Sequence, residues 1–180
     1  MDMTQLWQMA KESTLEHGEH IPMIYVETKT NEVFIVAVVG DAETTSEKHR
    51  FLFGAGRKVG LENKGKEPIF LCFVNEAWIS EQRADQPRKY NRASEDPNRR
   101  EALIAQVMDL TEKPARQMIY RADMIRDGSG ELVDLLPSKE PMEAEYTLLP
   151  PFLAGWLSAS YSDKEIIEMT LKEMARRSKR

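Results

Sequence analysis

One cysteine stands in the 180-residue chain, so no internal disulfide can form. Cys72 lies inside the apolar run Ile69-Phe70-Leu71-Cys72-Phe73-Val74. That setting favours a reducing compartment or a buried thiol over a reactive one, which needs electropositive, partly exposed surroundings. Histidine is also scarce, at three positions, and no Ser-His-Asp or Cys-His set has supporting context. No apolar stretch approaches the ~20 residues of a membrane-spanning helix. The first residues, Met1 to Trp7, have neither a basic nor an apolar leader segment, so no signal peptide and a cytoplasmic location are expected. Basic excess is missing too. Net charge is −5, and the stretch from Asp123 to Glu145 accounts for it, with seven acids against Arg126 and Lys139. Neither nucleic acid nor membrane is an expected partner.

What remains is an ordinary globular composition, 41% apolar and 31% charged. Thr4 to Glu16 reads as a helix, with Leu6, Trp7, Ala10 and Thr14 on one stripe and Gly18 as its stop. Met23 to Thr28, after Pro22, reads as an edge strand, and the continuously apolar Val33 to Val39 as a central one. Lys29 to Glu32 makes the turn between them. Thr44 and Glu47 have capping-box spacing and open a second helix, with Leu52, Ala55, Gly56 and Val59 on one face and Gly60 or Gly65 at its end. Strands are expected at 69–79, 102–110, 117–126 and 131–136, the last two joined by the Asp127-Gly128-Ser129-Gly130 turn. Residues 137–151 read as an extended surface connection. A helix is expected over 152–160, and a last amphipathic helix follows the Ser162–Glu165 capping box.

The expected fold is α+β, one domain. A mixed or antiparallel sheet of five to six strands packs on helices, and a C-terminal helical segment completes it. Residues 1–150 form the core, and 151–180 belong to the same domain or to a dimer interface. A homodimer through the apolar C-terminal helices is expected, with Leu148, Leu149, Phe152, Leu153, Trp156 and Leu157 as its apolar surface. The bland alternative is that these helices cover their own sheet.

Polar chemistry interrupts the buried strands at one place. The run 69–74 continues into Asn75-Glu76-Ala77-Trp78, and a polar loop follows as far as Ser94-Glu95-Asp96-Pro97-Asn98-Arg99-Arg100-Glu101. Structureless loops of this length are uncommon in compact domains and are usually functional or disordered. Asn75, Glu76, Trp78, Asp96, Arg99 and Arg100 are therefore the candidate ligand-binding residues. A carboxylate, two guanidiniums and an indole can hold an anionic or planar ligand, or can simply staple the loop to the sheet. Glu76 is expected to pair with Arg99 or Arg100, because an unpaired charge at the end of a buried strand is costly.

Three weaker patterns reduce to structural readings. His17-Gly18-Glu19-His20 lacks the spacing of a helical zinc motif and reads as two exposed loop histidines. Gly54-Ala55-Gly56-Arg57-Lys58-Val59-Gly60 fails both phosphate-loop templates and reads as small residues for close helix packing. Glu27-Thr28-Lys29 and Glu62-Asn63-Lys64 share the Glu-x-Lys pattern of metal-dependent nucleases, which also needs a second acid such as Asp41.

The Asn75-to-Trp78 and Ser94-to-Glu101 segments together resemble a pattern in uncharacterised prokaryotic proteins, over Leu6 to about Pro137. That resemblance implies no catalytic residue. The order of elements is similar to that of roadblock and profilin-like domains, which implies a small interaction module with a central antiparallel sheet. The long loop and the sixth strand depart from that plan. The functional expectation is a soluble, non-catalytic interaction or ligand-binding module with an unknown protein or small-molecule partner. No catalytic residue, metal site or cofactor is expected. The alternative is a metal-dependent hydrolase acting on phosphate esters through Glu76 and a second acid.

Overall fold

Asp2 starts the first helix. Its Oδ1 accepts the amides of Thr4 at 2.9 Å and Gln5 at 3.4 Å, and α1 runs Met3–His17. Gly18 ends it at φ 76°, a left-handed conformation that costs glycine nothing because it has no Cβ. Leu6, Trp7, Ala10 and Thr14 are the buried residues of α1, the stripe its sequence predicts. The computed structural model describes residues 2–39, 44–80, 89, 93–138, 140–144, 147–162 and 164–165. Most of the long polar loop and the expected last helix lie outside these residues, as does Asp41.

The fold is α+β, and every strand pair is antiparallel. The strands are β1 (Met23–Thr28), β2 (Val33–Ala37), β3 (Pro68–Ile79), β4 (Arg100–Asp109), β5 (Arg116–Arg126), β6 (Leu132–Pro137) and β7 (Met142–Glu143). Their order is β2-β1-β3-β4-β5-β6, with β7 pairing the other half of β5. The two-residue β7 lies within the connection read as an extended surface segment. It is held by a bond from the Ala144 amide to the Gln117 carbonyl and by an ion pair between Arg116 and Glu143 at 3.4 Å.

The first hairpin reverses the expected order of its strands. β1 is internal, between β2 and β3, and the uninterrupted apolar β2 is the end strand. Pro22 costs the ladder nothing, because it precedes β1 and contributes only its carbonyl, which accepts the Val38 amide at 2.8 Å. An apolar run records what side chains favour, not which backbone edge is paired.

The chain forms two compact units, Met1–Val39 with Pro68–Thr147, and Gly40–Glu67 with Leu148–Arg180. In the first, α1 lies on one sheet face. Leu6, Trp7 and Ala10 meet Cys72, Val74, Leu103, Ala105, Val107, Ala122 and Met124 in a single core. Strand alternation puts these sheet residues on one side, and the register agrees, pairing Cys72 with Val107, Val74 with Ala105 and Leu103 with Ala122.

The second unit packs α2 (Thr45–Glu62) against α3 (Leu149–Ser158) of the same chain. The Thr44–Glu47 capping box forms as expected. Glycine then sets how closely the helices approach. A Cβ at Gly56 would stand 2.0 Å from the Phe152 carbonyl oxygen, and one at Gly155 would stand 2.0 Å from that of Phe53. Arg57 donates to the Ser158 carbonyl at 2.7 Å, and Trp156 Nε1 to that of Lys66 at 3.1 Å. Leu149, Phe152 and Trp156, expected at a dimer interface, are buried within a single chain.

Candidate functional site

The pleat of β3 sorts the candidate residues. Glu76 faces Leu103 across the ladder and Trp78 faces Glu101, on the α1 side of the sheet. Asn75 projects from the other side. Its Nδ2 donates to the Glu76 carbonyl at 2.9 Å and its Oδ1 accepts from Gln106 at 3.3 Å.

Glu76 does not pair with Arg99 or Arg100. Arg100 faces Ile79 in the ladder, so parity sends its side chain to the opposite face. There its guanidinium meets Asp123 at 2.6 Å, and Asp123 also takes Arg121 Nε at 2.7 Å. Arg99 stands just before β4, its guanidinium 4.7 Å from the centroid of the Trp78 ring. The Glu76 Oε1 instead accepts the backbone amide of His20 at 2.6 Å. Burial pushes the Glu76 carboxyl above its ordinary range, and nearby Glu101 adds to this. The His20 amide and Arg126 pull the other way.

His20 is not the exposed loop histidine that its sequence suggests. It is 7% exposed, with Nδ1 at 3.2 Å from the buried Thr14 hydroxyl. Its Nε2 is enclosed and, among the described residues, has no hydrogen-bond partner, and burial holds its pKa below the usual imidazole value. Arg126 closes the cluster. Its Nε binds Glu101 at 2.6 Å, and one terminal nitrogen reaches the carbonyls of Gly18 and Gly130, each at 3.3 Å. That guanidinium ties the exit of α1 to the β5–β6 turn.

The far corner is built by Asp96. Its carboxylate accepts the Ser80 hydroxyl and, at 2.8 Å, the Asn98 amide, and these two bonds hold its pKa below the carboxylate norm. The Asp96 carbonyl takes the Arg99 amide at 3.1 Å and its guanidinium at 3.4 Å. The turn therefore aims Arg99 at the indole of Trp78, which is 47% exposed. Trp78, Asp96 and Arg99 come together as one corner. Glu76 lies further along the same face, and Asn75 and Arg100 lie across the sheet.

Sequence reasoning missed His20, Arg126 and Ser80. Their only signal was placement beside a helix-ending glycine, a turn and a strand end, and none of these carries a period. No family model matches the chain, and no match was found among curated proteins or solved structures.

Proposed function

We propose that this protein is a non-catalytic interaction module whose binding surface is centred on Trp78 and Arg99. The observation that carries this reading is the cation–π pair itself. A half-exposed indole is capped by a guanidinium at 4.7 Å, and a turn built on a well-bonded carboxylate orients it. Tryptophan and arginine are the residue types most often found as binding hot spots, because they offer large contact area with a polar handle. The surrounding charges serve the fold. Glu76 holds the His20 amide, Glu101 holds Arg126, and Asp123 holds Arg100 and Arg121.

The alternative, hydrolysis of phosphate esters with a metal, needs Glu76 and a second acid. The raised pKa of Glu76 and the nearby Glu101 favour it. Glu101, however, is occupied by a guanidinium at 2.6 Å. Among the described residues, no three His, Cys, Asp or Glu side chains are grouped to hold a metal ion.

Two measurements separate the readings. Affinity capture at matched bait concentration should retain a partner on the wild type and lose it on both Trp78→Ala and Arg99→Ala. Turnover of p-nitrophenyl phosphate or its diester with magnesium or manganese, abolished in Glu76→Gln, would establish the hydrolase instead.

A further inference from the structure

We infer that the open edge of β2 pairs with β2 of a second copy of this chain, antiparallel, about a two-fold axis at Ile35. Among the described residues β2 is an end strand, paired on one side only by β1. The Thr28 amide binds the Glu32 carbonyl at 3.0 Å and the Val38 amide binds the Pro22 carbonyl at 2.8 Å. Even-numbered residues of this strand thus turn their peptide groups toward β1. Alternation then sends the N–H and C=O groups of Val33, Ile35 and Ala37 outward. These positions are symmetric about Ile35. A second copy centred there sets Ile35 against Ile35 and Val33 against Ala37. Each facing pair exchanges both of its hydrogen bonds, so every outward group on both strands is used.

The side chains suit the same register. Val33 is 50% exposed and Ile35 is 62% exposed, on the face that also carries Tyr25. Across the axis they form one apolar row with the exposed Ala37. No charge and no proline interrupts Val33 to Ala37, and Glu32 falls opposite Val38 rather than another acid. Like charges therefore never meet. The other end of the sheet is built differently: β6 carries Asp134 and closes with Pro137, and β7 beside it is two residues long, follows Pro141 and carries Glu143, all devices that discourage edge pairing. With one end guarded and the other consumed in the joint, assembly stops at two copies. A five-residue edge is small beside the ~1,200 Å² at the lower bound of stable interfaces. A weak dimer, dissociating in the micromolar range, is the expected strength.

This inference goes beyond the Trp78 reading and stands or falls separately, since Trp78 is on β3. The test is sedimentation velocity on the full chain over a micromolar to sub-millimolar series. The wild type should pass from monomer to dimer and no further. Ile35→Lys and Ile35→Glu each place like charges face to face, so each alone should weaken dimerisation at least tenfold. Mixing the two should restore a dimer, because only an axis at Ile35 brings position 35 against itself. If circular dichroism shows either charged variant unfolded, Ile35→Thr, which keeps the β-branch, should still weaken the dimer measurably. A wild type monomeric throughout, assembly beyond two, or a dimer unmoved by these substitutions would overturn the proposal.

Discussion

The Glu76 carboxylate accepts the His20 amide at 2.6 Å, so the turn leaving α1 is fastened to β3 by a charged acceptor. The two residues titrate in opposition. Burial raises the carboxyl of Glu76 and lowers the imidazole of His20. A raised acid stabilises the fold fully below its ordinary value of 4.5, and that contribution is lost as pH rises through the folded value. A lowered imidazole contributes fully above its ordinary 6.5, and that contribution is lost as pH falls through the folded value.

Glu76→Gln keeps an acceptor for the His20 amide and removes the half-buried charge. It should melt above the wild type at pH 7, with the gap closing as pH falls toward 4.5. Thermal melts at stepped pH check this, and a variant less stable at pH 7 would contradict it.

Gly56→Ala and Gly54→Ala should have opposite effects. A Cβ at Gly56 would meet the Phe152 carbonyl at 2.0 Å, whereas one at Gly54 meets nothing within 4 Å. Overpacking should cost Gly56→Ala about 1–3 kcal/mol or more. Gly54→Ala should gain about 0.5–1 kcal/mol from helix propensity. Urea unfolding of both variants measures the difference.

Cys72 should be chemically silent in the folded protein. It is fully buried, and burial pushes its pKa up to about 12. Modification by a disulfide reagent at pH 8 should be slower than in the unfolded chain by orders of magnitude. Labelling at the unfolded rate would show that the core around β3 opens readily.

The Asp96 turn should control the exposure of Trp78. Asp96→Ala removes the acceptor of the Ser80 hydroxyl and the Asn98 amide, so Arg99 loses its orientation. Acrylamide quenching attributable to Trp78, obtained by difference against Trp78→Phe, should rise in Asp96→Ala and in Arg99→Ala. Because the carboxyl of Asp96 is held below 3.8, wild-type quenching should stay constant above that pH. It should increase as pH falls through the lowered value.

The elements were legible wherever a local rule sufficed. The α1 stripe, the Gly18 stop, the Thr44–Glu47 cap and the Asp127 turn each depend on residues a few positions apart. The Asp127 carboxylate does accept the amides of Ser129 and Glu131 as such a turn requires. What eluded the sequence was set by pairing across distance. β2 has the composition of an inner strand but ends the sheet. Arg100 and Glu76 are separated by the parity of a ladder whose register nothing nearby announces. His20 is held by Glu76 of β3, which no window around position 20 contains. Within the candidate site, the Asp96 turn was legible from its own residues, but the stacking of Arg99 on Trp78 was not, because it joins the turn to a strand some twenty residues earlier. The Glu76 pairing was not, because its partner comes from 56 residues earlier in the chain.

The α2–α3 pair is discontinuous in the chain, and this sets an order of events during synthesis. α2 ends at Glu62 and α3 begins at Leu149. At about 5–20 residues per second, roughly 4–17 s pass between the two leaving the ribosome. Throughout that interval the groove at Gly56 and Gly60 has no helix to receive. Meanwhile every strand from β3 to β7 is delivered in sequence. The strands are therefore available to pair as they emerge, whereas the α2–α3 pair cannot close until α3 has been delivered.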